Sequence, residues 1–112
     1  MKLFLMTKRV GLEKFLEAVT QNDFAVVKVS SEAELFKHDI EKCVLVIDID
    51  SFKDHGFALA TKLSNFPQRR SLIVGIASWD VDSADSGFDL FFDSFEAVKE
   101  NLQMIMEEYE KL

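Results

Sequence analysis

Asp48 and Asp50 close an otherwise apolar run, Val44-Leu45-Val46-Ile47-Asp48-Ile49-Asp50. If the strand persists to its end, alternate side chains share a face, so the two carboxylates point the same way. Neighbouring carboxylates repel and need a cation. A metal is one answer. The ammonium of Lys8, which follows the first apolar run of the chain, is a simpler one. Asp93 comes after another apolar run and could line the same pocket, although Asp with Glu96 three residues on also has the form of a helix N-cap. The expectation is a polar cluster of Lys8, Asp48, Asp50 and Asp93, free of metal and of any cofactor. His55 lies near Asp54, but no paired Ser or Cys accompanies it, so it gives no basis for nucleophilic catalysis. The one cysteine, Cys43, precedes the apolar run and suits a small buried residue.

These side chains need a scaffold, and the hydrophobic periodicity supplies one. Lys2 to Met6 and Ala25 to Val29 read as strands, Val44 to Asp50 as the central strand, and Leu72 to Ala77 and Phe88 to Phe92 as two more. Between them Leu12, Phe15, Leu16 and Val19 recur at helical spacing. Ser31 with Glu34 forms a capping box before Leu35, Phe36 and Ile40. Gly56 to Ser64 is a helix that Asn65-Phe66-Pro67-Gln68 ends, since proline cannot continue it. The last helix turns Phe95, Val98, Leu102, Ile105, Tyr109 and Leu112 inward. Strands apolar on both sides, alternating with helices, specify an α/β fold: a doubly wound five-stranded parallel sheet. The link Ser78 to Gly87 is ten residues long and holds a turn or two of helix at most, so the fourth helix is shortened or missing.

The bulk properties set the outer limits. The chain of 112 residues suits a single domain spanning 1–112. A net charge of -7 repels phosphate backbones and argues against nucleic acid as a partner. The apolar run Leu3 to Met6 is too short for a signal peptide or a membrane span, so a cytoplasmic setting is expected.

Layout and a few positions resemble the receiver domains of bacterial two-component response regulators. In that family a strand ends in a phosphoacceptor Asp, and a Gly follows eight residues later; Asp48 and Gly56 have that spacing. The family's Lys-Pro-Phe after the fifth strand falls on Asp93-Ser94-Phe95. The resemblance implies a flavodoxin-like fold with Asp48 as the phosphoacceptor equivalent. It also exposes departures. The acidic pair that holds magnesium falls on Thr7 and Lys8, the switch Ser/Thr on Ala77, the phosphate-binding Lys on Asp93, and a loop Pro on Phe52. A degenerate receiver, or pseudo-receiver, is the resulting expectation, because phosphoryl transfer depends on metal and cationic clamps.

The function expected is therefore a non-catalytic signalling module that binds other proteins independently of phosphorylation. Trp79, Phe91, Met104 and Tyr109 are the expected contacts, and a homodimer through the fifth strand and last helix is one expected use of them. Two alternatives differ in class. One is a phosphoacceptor receiver using Asp48 in a two-component phosphorelay. The other is a small haloacid-dehalogenase-like phosphohydrolase, suggested by the Asp48-Ile49-Asp50 echo of that family's DxD nucleophile motif. Asp80, Asp82, Asp85 and Asp89 lack the spacing of an EF-hand loop and read as a solvated stretch.

Overall fold

Five parallel strands carry the molecule: β1 (Lys2–Met6), β2 (Ala25–Val29), β3 (Cys43–Asp48), β4 (Ser71–Ile76) and β5 (Leu90–Phe92). The computed structural model describes residues 2–12, 14, 16, 24–38, 42–65, 71–78 and 87–111. The helices are α1 (Glu32–Leu35), α2 (Ile49–Phe52), α3 (Asp54–Ser64), α4 (Phe95–Glu100) and α5 (Leu102–Glu110). Leu12, Lys14 and Leu16 are also helical.

The sheet order is β2-β1-β3-β4-β5, all parallel, with Leu3 opposite Val44, Val46 opposite Val74 and Gly75 opposite Phe91. This order reverses direction between β1 and β3, which places a crevice at the carboxyl ends of those two strands. β3 and β4 are buried at every residue, as strands covered on both faces should be.

Alternation sorts the core into two layers. Leu3, Leu5, Val44, Val46, Leu72, Val74 and Phe92 face Leu16, Phe95, Val98, Ile105 and Tyr109. Phe4, Met6, Cys43, Leu45, Ile47 and Ile73 face Leu35, Leu59, Ala60 and Leu63. Cys43 is buried, as its position implied.

Several local expectations change. The central strand ends at Asp48 rather than Asp50, and Ile49 opens α2, so Asp48 and Asp50 are not strand neighbours on one face. β5 begins at Leu90 rather than Phe88. Asp89 is the cause: its N–H donates to the Ile73 carbonyl, and its carboxylate accepts the Ile73 N–H, each at 2.8 Å, in place of a regular ladder. Phe88 then folds over Gly75, where a Cβ would come within 2.8 Å of its ring. Gly87 has a φ of +79 and packs against the backbone of α3, 2.9 Å from the Thr61 amide nitrogen to where its Cβ would stand. The expected shortening of the fourth helix concerns a link of which residues 79–86 lie outside the described ones.

The last helix is two helices. Asn101 interrupts it at φ -116, and its amide side chain donates to the Ala97 carbonyl at 2.7 Å, competing with the regular backbone ladder. The inward stripe survives the break: Phe95, Val98, Ile105 and Tyr109 are buried. At α1 the Ser31 hydroxyl accepts the Glu34 N–H as expected, but the Glu34 carboxylate turns to the N–H and hydroxyl of Ser30. Leu35 is buried and Phe36 is exposed.

Candidate functional site

β1 and β3 run side by side and deliver Thr7 and Asp48 to the crevice together. Asp48 is fully buried at the end of β3. Thr7, one residue past β1, is equally buried, and its hydroxyl donates to Asp48 Oδ2 at 2.7 Å. Ser51, in α2, donates to the same oxygen at 2.9 Å. The first turn of α2 therefore folds back on the acid that precedes it.

The decisive contact comes from Arg9. Its Nε donates to Asp48 Oδ2 and its Nη2 to Asp48 Oδ1, both at 2.7 Å, a bidentate fork. Planar guanidinium geometry matches a carboxylate in this way, and such bonds are among the strongest available. The Arg9 N–H donates to the Thr7 hydroxyl at 3.0 Å, so the Thr7–Arg9 turn holds the fork in place. The guanidinium lies over the Phe95 ring, 5.2 Å from its centroid.

The protonation of Asp48 follows from these opposing effects. Burial pushes its carboxyl up, and this is the largest single influence. Hydrogen bonds from Arg9, Thr7 and Ser51 together outweigh it and hold the group below the usual carboxylate range. Arg9 is correspondingly raised, chiefly by its hydrogen bond to Asp48. The site at rest is an ion pair.

This arrangement corrects the expected pairing of Lys8 with the acids. The Lys8 ammonium sits over the Phe52 ring, 5.1 Å from its centroid, and its backbone N–H donates to the Ser51 hydroxyl at 3.2 Å. Arg9, not Lys8, neutralises Asp48. The signal was present as the Lys8-Arg9 dipeptide, but which of two adjacent cations turns inward depends on the backbone after β1.

Asp50 does not stand beside Asp48 on one strand face; its carboxylate accepts the Ser78 N–H at 3.2 and 3.3 Å. It borders a cavity of about 260 Å³ that Arg9, Asp93, Ser94, Phe95 and Glu96 also line. Asp93 thus lies near Arg9 but does not cap the helix behind it. Ser94 is the N-cap of α4, its hydroxyl accepting the Ala97 N–H at 3.2 Å.

The resemblance implies a magnesium ion held by carboxylates, and the residues here do not fit one. A hard cation needs several free oxygen ligands. Both Asp48 oxygens receive hydrogen bonds, and a guanidinium stands directly against them. Among the described residues no group of three or more His, Cys, Asp or Glu side chains is placed to hold a metal.

The expected contact residues fare unequally. Trp79 lies outside the described residues, as do Asp80, Asp82 and Asp85. Tyr109 is buried, as its place on the inward stripe implied, and so does not serve as an exposed contact. It is buried edge-on to Phe24, and its hydroxyl donates to the Lys42 carbonyl at 3.2 Å. Phe91 is half-buried against Phe88, ring centroids 5.6 Å apart. Met104 is exposed on α5, and Met106 packs partly against the core. His38 lies tilted against Phe4, ring centroids 5.2 Å apart, and His55 lies at the start of α3 beside Lys8 and Phe52. Among the described residues, no helix is long and apolar enough to cross a membrane.

Neither a protein-family model nor a curated protein matches the chain. Among solved structures, it is similar to the crystal structure of a response regulator receiver modulated diguanylate cyclase from Pelobacter carbinolicus. The two are 15% identical, with a TM-score of 0.69 over 98% of this chain and 92% of that one. The likeness establishes the receiver-like, flavodoxin-type fold.

Proposed function

We propose that this receiver-fold chain is a non-catalytic protein–protein interaction module that acts without phosphorylation of Asp48, in a cytoplasmic setting. The observation that carries the reading is the Arg9 fork. A carboxylate that accepts a phosphoryl group needs an accessible oxygen, with cations left over to neutralise the incoming charge. Here one guanidinium engages both oxygens of Asp48, Thr7 and Ser51 add further bonds, and the acid Asp93 stands where the resemblance puts a lysine. The partner is a protein that meets the side carrying β5 and α5, where Met104 is exposed. A second copy of the chain is one such partner. Nucleic acid is disfavoured by the charge of -7.

Incubation with a small phosphodonor and magnesium, followed by intact-mass measurement, tests this directly. The mass should not change. A gain of one phosphate that disappears in Asp48→Asn would replace this reading with a working phosphoacceptor. A generic phosphatase assay should likewise remain at background, because Asp50 is turned to the Ser78 amide rather than set beside Asp48 as a second acid.

A further inference from the structure

We propose that Arg9 is a two-position clamp, through which the charge of Asp48 sets the first turn of α4. Arg9 touches two elements far apart in sequence. Its fork holds both oxygens of Asp48 at 2.7 Å, and its guanidinium carbon lies 5.2 Å from the Phe95 ring centroid. Phe95 is the first residue of α4, directly after the cap Ser94. α4 is only six residues long and is broken from α5 at Asn101, so its first turn rests on the Ser94 cap, the burial of Phe95 and Val98, and this contact. The ring is buried in the core layer beside Val98 and Ile105, which makes it the point where the clamp meets the packing.

The cavity beside Arg9 offers room for a second position of the guanidinium. Arg9 is about half exposed and borders the cavity of about 260 Å³ that carries Asp50, Asp93 and Glu96 on its wall. While Asp48 is ionised, its two aligned acceptors hold the guanidinium over Phe95. Once that charge is gone, the solvated carboxylates of the cavity are the stronger attraction. The side chain then swings away from the ring, and the first turn of α4 loses its cationic cover. A ligand or partner that distinguishes the two positions shifts their populations by its differential affinity and no more. The device concerns the unphosphorylated chain. Its failure therefore leaves the interaction reading standing, and the mass measurement above leaves the device standing.

Amide hydrogen exchange read residue by residue tests it. The reporter is the Ala97 N–H, which caps onto Ser94, and the reference is the Val74 N–H in the central sheet, which follows overall stability. In Asp48→Asn, Ala97 exchange relative to Val74 should rise by about two- to fivefold, the size of one exposed cation–π contact. In an Arg9→Met background the same Asp48→Asn change should add nothing. Phe95→Leu provides a second arm that keeps the Arg9–Asp48 pair and removes only the ring, and it should abolish the effect too. A rise of equal size with and without Arg9, or none at Ala97, overturns the clamp.

Discussion

Two corners of the sheet fill a gap in opposite ways. At the end of β3 a fully buried carboxylate is met by one guanidinium and two hydroxyls. At the β4–β5 corner the bare backbone of Gly75 is covered by the Phe88 and Phe91 rings, with Phe57 edge-on to Phe88 at 5.8 Å. The first solution depends on direction and charge, so one atom out of place leaves a buried ion unpaired. The second depends on volume, and its rings can shift to take up a change. A polar corner therefore has a sharp optimum, while an apolar one has a broad one.

The comparison is broken most severely at Arg9. Removing one partner of a buried pair typically costs about 3–5 kcal/mol. Because Arg9 itself is about half exposed, Arg9→Met should lose about 2–3 kcal/mol in denaturant unfolding at neutral pH, allowing for solvent screening. Arg9→Lys keeps the charge but not the fork, and should recover only part of that loss. The pH dependence carries a definite sign. The folded Asp48 carboxyl lies below the unfolded value of about 3.9, so the pair's contribution is present above that pH and is lost as pH falls through the folded value. In Arg9→Met the burial that pushes the carboxyl up is opposed only by the hydroxyls. The stability gap between the two proteins should therefore narrow below about pH 4. A gap that stays constant down to pH 2 would remove the ion pair as its source.

Gly75→Val tests the other corner. The new side chain must displace the rings of Phe88 and Phe91, at a cost of about 1–3 kcal/mol. The double change Gly75→Val/Phe88→Ala should recover part of that loss, whereas Arg9→Met should be rescued only by a second change that also removes the Asp48 carboxylate. Unfolding curves of the four proteins decide whether the two corners differ in kind or only in degree.

Smaller effects refine the surroundings. Ser94→Ala should cost about 1 kcal/mol through loss of the α4 cap, while Asp93→Ala should stay within about 0.5 kcal/mol, since Asp93 does not cap that helix. Equal losses from both would return the cap to Asp93. Tyr109→Phe should cost about 1 kcal/mol, the value of the hydrogen bond to the Lys42 carbonyl. No loss would mean that water replaces that bond.

Much of the fold is legible in the sequence because it rests on repeating patterns. The alternation of strand and helix, the all-buried runs at β3 and β4, and the limits of β1 and β2 follow from periodicity that many residues share. The interruptions were not legible. Asn101 splitting the last helix and Asp89 replacing a rung of β5 each depend on one polar side chain choosing a backbone partner. The site was legible only in its acid. The position of Asp48 at a strand end, with Gly56 eight residues on, locates the crevice.

What the sequence alone determined is thus the parallel sheet, the apolar stripes that face it and the placement of a carboxylate at the end of its central strand. What tertiary structure decided is the cation that meets it. Lys8 and Arg9 are adjacent, equally charged and equally available on paper. The turn after β1, tied by Thr7, sends Lys8 onto Phe52 and brings Arg9 to Asp48. Periodicity is a property of the chain and can be read along it. A buried ion pair is a property of two directions in space, and those exist only once both strands are laid side by side.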